Sequence, residues 1–409
     1  MYATILNKLR WSYRKNWPDI KGLFLRHYPE FVLSNSLREL GEEIPVFCFH
    51  SVEPEDFEAK LDYLKSNDYA TLDGDALLKA LRRETPLPKR AVVLTFDDGT
   101  ATLYSVAWPL LRKYGFQAIS FLIPGCIPET APKQPMYEDW AAGDVEKSAL
   151  LEREKGDFPL CSWQEIREMH ASGVIDFQAH TMHHHLIHVA PQLVDFIHPN
   201  YDFYFYANIH VPVYYSQGQP DFSRKAALGT PVYRAEPHLC GRAQFFDDES
   251  ARRTCVEYVV KNGGERFFER EDWRKELLEV HRNASKSNGQ TRFESTEETR
   301  ETIFQDFAEC KRQIEENIPG KKVEHFCFPW FIGSNVAVEM AQKAGFQALY
   351  WGILNVRRTN RPGDDPLRVM RVEDRYLERL PGDGRKSLRE ILAGKINTNL
   401  PLFRKRLNK

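Results

Sequence analysis

The sequence has no run of about 18 apolar residues of the kind that crosses a bilayer as a helix. Its start, MYATILNKLRWSYRKNW, lacks the apolar centre of a secretory signal, so a cytoplasmic protein is expected. No CxxC pair occurs. The seven cysteines, an odd number, are scattered over Cys48, Cys126, Cys161, Cys240, Cys255, Cys310 and Cys327, a spacing that excludes a disulfide framework and reads as reduced core thiols. An excess of charge of one sign is also lacking: 56 Lys+Arg against 58 Asp+Glu leaves a formal charge of −2, so no global field steers the chain onto nucleic acid. Internal repeats and low-complexity tracts are absent.

What is present fits a globular chain, since 409 residues with 42% hydrophobic and 28% charged side chains can bury a sizeable core. Short apolar runs alternate with helical spacing. Ile44–Phe49 reads as a buried strand, and Phe57, Leu61 and Leu64 then share one helix face behind Pro54, a residue suited to a first turn. Ala91–Phe96 gives a second strand, Leu103, Val106, Leu110 and Leu111 a helix, and Ala118–Ile123 a third strand. Val174–Ala179, Val323–Phe328 and Gln347–Trp351 continue the pattern, with a helix around Ala337–Lys343. Such alternation predicts a parallel sheet, wound open or closed as a barrel. Two stretches break it: Cys126–Phe158, and Val189–Gly320, which far exceeds the usual connection of roughly 4–6 residues. The second is expected to fold on itself, aromatic and strand-like at first and helical from Glu249 to Ile318.

Two clusters carry chemistry. In Leu94-Thr95-Phe96-Asp97-Asp98-Gly99, adjacent carboxylates fall at the carboxyl end of a strand, where α/β proteins place their active sites. Alone, the pattern is also that of an ordinary Asp-Gly turn, and Phe246-Asp247-Asp248-Glu249 repeats the acidic pair elsewhere. A second strand, ending at Ala179, delivers His180-Thr181-Met182-His183-His184-His185. Read as a helical turn, His180 and His184 face one side and can grip one ion, with Asp98 as the oxygen ligand. Two histidines and a carboxylate leave positions open for water and substrate, as catalytic zinc, iron or cobalt sites require. His183, His185 and His188 read as bystanders, with His185 or His188 as alternatives for supporting the ligand shell.

These motifs resemble the polysaccharide deacetylase (NodB homology, carbohydrate esterase 4) family. Thr95-Phe96-Asp97-Asp98-Gly99 matches its TFDDG motif and His180-Thr181-x-x-His184 its H-[ST]-x-x-H motif. Cys327-Phe328-Pro329-Trp330-Phe331-Ile332-Gly333 is similar to its third motif, and Asn360–Pro366 with Arg368–Val372 to late segments of many members. The resemblance covers Ile44–His188 and Val323–Asp374. It implies a distorted (β/α)7-type barrel with a large α+β insertion, and a metal-dependent hydrolase that removes N-acetyl groups from an amino-sugar polysaccharide or a lipid-linked or nucleotide-linked glycan. It also implies Asp97 as general base and Asp98, His180 and His184 as ligands of a divalent metal, zinc first, with cobalt, nickel, iron or manganese as alternatives. Thr181 would support these ligands, and Pro329 with Trp330 would form the oxyanion and acetyl pocket. In one branch, that of the biofilm exopolysaccharide deacetylases, the general acid is an early histidine in a [YF]-H-x-[VI] segment; Phe49-His50-Ser51-Val52 fits, which makes His50 the acid. His325, inside a strand, reads as structural.

One departure stands out: many members carry an arginine at the Cys327 position, paired with the base aspartate; either Arg368 or Arg371 replaces it from the last strand, or the pKa of Asp97 is set differently. Two other readings stay open, a hydrolase of another C–N amide in a small metabolite and an inactive carbohydrate-binding relative. The expected division is a basic extension over 1–43, the barrel over 44–188 and 321–380, the insertion over 189–320 and a basic tail over 381–409. Lys8, Arg10, Arg14, Lys15, Lys21 and Arg26 face only Asp19 at one end, and Gly384–Lys409 holds eight basic residues against Glu390 at the other. Such ends either stay solvated or dock on anionic lipid at the inner membrane face. The insertion's Tyr201, Phe203, Tyr204, Phe205, Tyr206, Tyr214 and Tyr215 either stack on sugar faces or form the core of a strand pair.

Overall fold

The structure, a computed structural model, describes residues 21–201, 215–216, 219–220, 226–288 and 290–394. By internal contacts they form two compact units. The first holds the described residues up to His180, Lys311–Cys327 and those from Phe346 onward; the second holds those of Thr181–Cys310 and Phe328–Gly345. The second unit thus differs from the expected 189–320 at both ends: it takes in 181–188 and 328–345 and leaves 311–320 to the first.

The first unit is built on β1 (Val46–Phe49), β2 (Ala91–Asp98), β3 (Ala118–Leu122), β4 (Ile175–Ala179), β5 (His325–Cys327), β6 (Ala348–Trp351), β7 (Val369–Met370) and β8 (Val372–Glu373). Their order is β7-β6-β5-β4-β3-β2-β1-β8, and every pairing is parallel. β7 and β8 are one segment split at Arg371. Its first half pairs with β6 (Tyr350 opposite Val369) and its second with β1 (Phe47 opposite Val372), which closes the ring as a (β/α)7-type barrel. Because all strands run the same way, their carboxyl ends share one rim, and Asp97, Asp98, His50 and His180 all lie at strand ends on it.

The near-continuous apolar run Ala91–Phe96 is what a strand buried on both faces requires, and β2 is buried along its whole length. Val93, Ile119, Phe121, Tyr350 and Val369 from four strands pack with Leu77, Leu78 and Leu81 of the helix Gly74–Leu81. Gly74 opens that helix because a Cβ there would lie 2.5 Å from Asp176 Oδ2 and 3.0 Å from His325 Nε2. His325 is structural as expected: Nδ1 bonds the Tyr350 hydroxyl at 3.0 Å.

The expected helix through Leu103, Val106, Leu110 and Leu111 forms in two registers, a π turn at Leu103–Ala107 running into the α-helix Trp108–Tyr114. Pro109 explains the change, since it has no N–H for the carbonyl four residues back and the ladder widens around it. The acidic pair Asp247-Asp248 has a local use: Asp248 caps the helix Glu249–Lys261 by accepting from Ser250 N–H at 2.9 Å, and Asp247 pairs with Arg252.

The second unit pairs Leu186–Phe196 antiparallel with Pro231–Pro237. Phe196 packs with Cys255, Val259, Phe267 and Leu277 against the helices Glu249–Lys261 and Trp273–Asn288. Within the expected aromatic stretch, Phe203, Tyr204, Phe205, Tyr206 and Tyr214 lie outside the described residues.

Part of the expected end segments belongs to the barrel unit. Tyr28 meets Tyr376 edge-on, Phe31 meets Phe47, and Arg385 donates to the carbonyls of Phe31, Ser34, Leu37 and Arg379. The charge of Arg385 is therefore committed inside the fold and corrects its place in a free basic tail. Lys8, Arg10, Arg14 and Lys15, and the tail from residue 395, lie outside the described residues. Among the described residues no helix is long and apolar enough to cross a membrane.

Phe121 is fully buried between Tyr350 (centroids 4.8 Å apart) and the Arg371 guanidinium (5.5 Å). Phe121→Ala is expected to cost about 3–5 kcal/mol, read as a lower denaturation midpoint at unchanged m-value.

Candidate functional site

Asp97 is the last residue but one of β2, with a buried carboxylate. Arg371, at the split in the closing strand, donates Nη1 to Asp97 Oδ1 at 2.6 Å and Nη2 to Oδ2 at 2.8 Å, a bidentate pair. Nη1 also reaches Thr95 Oγ1 at 3.0 Å, and Nη2 the Cys327 sulfur at 2.8 Å. Arg371 rather than Arg368 therefore supplies the charge missing at Cys327; Arg368 faces Asp365 at 4.0 Å. Burial by itself would raise the pKa of Asp97, but the Arg371 guanidinium overrides it and holds the carboxyl well below the usual carboxylate range. Burial pushes the thiols of Cys48 and Cys327 well up, and Cys48 Sγ lies 3.4 Å from Asp97 Oδ2.

Asp98 follows in the left-handed region, at φ 71°, and Gly99 continues there at φ 70° with Leu122 Cδ2 2.8 Å from where a Cβ would sit. The turn swings the Asp98 carboxylate to 3.5 Å from His180 Nε2. His180 Nδ1 lies 2.8 Å from the Cys327 carbonyl, which fixes Nδ1 as the donor and leaves the Nε2 lone pair on the Asp98 side. Burial holds the His180 imidazole below its ordinary pKa, in the neutral form a metal ligand needs. The donor set also fits a cation by distance: two ligands each about 2.1 Å from a tetrahedral zinc lie roughly 3.4 Å apart. His50, just past β1, places Nε2 3.9 Å from Asp97 Oδ2 with 58% of its side chain exposed.

The second unit carries the remaining expected residues. His180–His184 is a loop, not the expected helical turn: Thr181 and His184 have φ of 75° and 50°. A hydrogen bond from His184 N–H to Thr181 Oγ1 at 2.9 Å closes it, so the threonine hydroxyl acts on the histidine's backbone. Competition between that hydroxyl and helical bonding is the physical reason the spacing misled. Trp330 and Phe331 are also left-handed, at φ 50° and 61°, and the Trp330 ring lies 4.1 Å from the His184 ring, centroid to centroid. Thr181, His185, Pro329 and Trp330 line a small cavity in this unit. His188 is structural, accepting at Nε2 from Tyr233 N–H at 3.2 Å.

Sequence reasoning placed Asp97, Asp98, His180 and His50 at strand ends, and the structure brings these four to one rim. It missed Thr95 and Cys48 as neighbours of the Asp97–Arg371 pair, although period-2 alternation along the strands Cys48 to His50 and Thr95 to Asp97 was the signal available.

Arg371→Met is expected to destabilise the protein by about 3–5 kcal/mol at pH 7, because it strands a buried carboxylate. Asp97→Asn in the same chain is expected to recover most of the loss. Since Asp97 is held below its unfolded value, the deficit is full at neutral pH and shrinks as pH falls below about 4. Urea titrations of the single and double variants at pH 7 and pH 3 check this; a deficit that grows in acid contradicts it.

The family profile described as polysaccharide deacetylase matches residues 84–195. The poly-beta-1,6-N-acetyl-D-glucosamine N-deacetylase of Escherichia coli K12 is 28% identical over 137 residues, 34% of this chain and 18% of that one. The enzyme of the same name from Staphylococcus aureus is 30% identical over 132 residues, 32% of this chain and 37% of that one. The matches thus span well under half the length of these relatives. Among solved structures, a de-N-acetylase from Aggregatibacter actinomycetemcomitans aligns at TM-score 0.49 and 18% identity, over 86% of this chain and 99% of that one. The BpsB deacetylase domain of Bordetella bronchiseptica aligns at TM-score 0.49 and 15% identity, over 82% and 97%. Residues 84–195, the stretch that matches the polysaccharide deacetylase profile, hold Asp97, Asp98, His180 and His184.

Proposed function

We propose that the chain is a metal-dependent hydrolase that removes N-acetyl groups from an amino-sugar polysaccharide. A β-1,6-linked N-acetylglucosamine polymer, after which the curated relatives are named, is the first substrate to consider. The observation that carries this reading is a pair of adjacent carboxylates with different partners: Asp97 bound at both oxygens by Arg371, and Asp98 at ligand spacing from His180. Two carboxylates whose surroundings divide them in this way suit one to proton transfer and the other to metal binding.

Asp98, His180 and His184 hold the ion in this reading, and an Asp-His-His set suits zinc. When bound, a divalent cation supplies Lewis acidity that polarises the amide carbonyl and lowers the pKa of water. Asp97, ionised throughout the working range, takes the proton from the attacking water, and Arg371 fixes both of its oxygens. His50, exposed to substrate at the rim, gives a proton to the leaving amine, so the C–N bond breaks to acetate and a free amino sugar. Trp330 N–H stabilises the oxyanion, its ring shapes the acetyl pocket beside His184, and Thr181 holds the His184 loop. Arg371 also weighs against an idle carbohydrate binder, since the base aspartate keeps its arginine.

Acetate release from β-1,6-N-acetylglucosamine oligomers tests the activity; no release from any amino-sugar polymer by the metal-loaded protein contradicts it. Asp98→Ala and His180→Ala are expected to lose the ion on gel filtration, while Asp97→Asn retains it and loses about 10²–10⁴-fold in kcat. Full activity in Asp97→Asn removes the assigned base. His50→Ala is expected to lower kcat by a similar factor, about 10²–10⁴, and to abolish one limb of the pH–rate profile. An unchanged rate and profile takes His50 out of the mechanism.

A further inference from the structure

We infer that the second unit carries a cation site of its own, formed by His185, His238 and Asp306. The three come from separate pieces of chain: the loop after Thr181, the short turn His238–Cys240 and the helix Thr296–Asn317. One donor atom from each, two imidazole nitrogens and a carboxylate oxygen, lie within 4.8 Å of one another. His238 Nδ1 and Asp306 Oδ2 are 3.5 Å apart, too far for a hydrogen bond and close to the roughly 3.4 Å that separates two ligands of a tetrahedral zinc.

The surroundings orient the donors. Asp306 Oδ1 accepts from Met182 N–H at 3.0 Å, which turns Oδ2 towards His238. His238 N–H donates to the His185 carbonyl at 3.2 Å, and the two rings lie 4.6 Å apart. Outer contacts of this kind hold ligand side chains in place before an ion arrives. His185 and His238 border the small cavity of this unit. Two imidazoles and one carboxylate suit a borderline divalent cation such as zinc, with water in the fourth position.

Such an ion clamps the loop that carries His184 to a helix and a turn distant in sequence, closing long loops whose ordering costs entropy. Its role is structural, because no step assigned above uses these residues. The site shares no residue with the proposed Asp98-His180-His184 site, and the two can fail separately.

The test is zinc content of full-length protein, stripped with chelator, reloaded and desalted. Wild type is expected to retain two equivalents, Asp98→Ala one, His238→Ala one, Asp306→Asn one, and Asp98→Ala/His238→Ala none. Circular dichroism identifies any variant that fails to fold, and Asp306→Asn keeps the acceptor for Met182 N–H while losing the charge. A cobalt-loaded Asp98→Ala protein provides a second readout, a visible d–d band that vanishes on adding His238→Ala. If wild type retains one equivalent and Asp98→Ala none, or if His238→Ala and Asp306→Asn both keep the full wild-type content, the inference is overturned. One equivalent that survives Asp98→Ala and is lost in His238→Ala supports it and instead removes the catalytic ion from the proposed function.

Discussion

The ion pair between Arg371 and Asp97 joins the closure of the barrel to the chemistry at its rim. Arg371 sits where the last strand divides, one half pairing with β6 and the other with β1, so its backbone position is set by the closing of the ring. Its side chain then spends its donors on both Asp97 oxygens, Thr95 and Cys327, while Phe121 covers the guanidinium. Two charges buried together repay their desolvation only with this degree of bonding. An ionised Asp97 and a closed barrel therefore depend on each other, and the neighbouring Asp98 inherits a fixed position from the same strand end.

Backbone strain falls on several of the motif residues. Asp98, Thr181, His184, Trp330 and Phe331 all adopt positive φ, a region that costs an L-residue about 1–3 kcal/mol. Every one of them belongs to a motif singled out from the sequence. Each such turn aims a side chain or a backbone N–H that a regular strand or helix would point elsewhere. Local hydrogen bonds, such as His184 N–H to Thr181 Oγ1, offset part of the cost.

Much of the barrel was legible because buried parallel strands are written as short apolar runs, and Ala91–Phe96 and Val174–Ala179 end where their motifs begin. The sequence also contained a choice it could not make between Arg368 and Arg371, which only closure of the ring decides, since Arg371 and Asp97 are 274 positions apart. Spacing misread His180–His184 as helical because i, i+4 geometry says nothing of a threonine hydroxyl competing for the backbone. The cluster of His185, His238 and Asp306 left no local trace: each residue is ordinary in its own segment, and only packing of the second unit gathers them. By contrast, the acidic pair Asp247-Asp248 looks like a motif and works as a helix cap.

The central claim is that the strand ends bearing Asp98 and His180, with His184 four residues further on, share one divalent cation. Anomalous diffraction at the zinc edge from crystals of the zinc-loaded protein tests it most directly. The account predicts a peak about 2.0–2.2 Å from an Asp98 oxygen, His180 Nε2 and a His184 ring nitrogen. A zinc-saturated protein whose anomalous peaks all avoid Asp98 and His180 contradicts it.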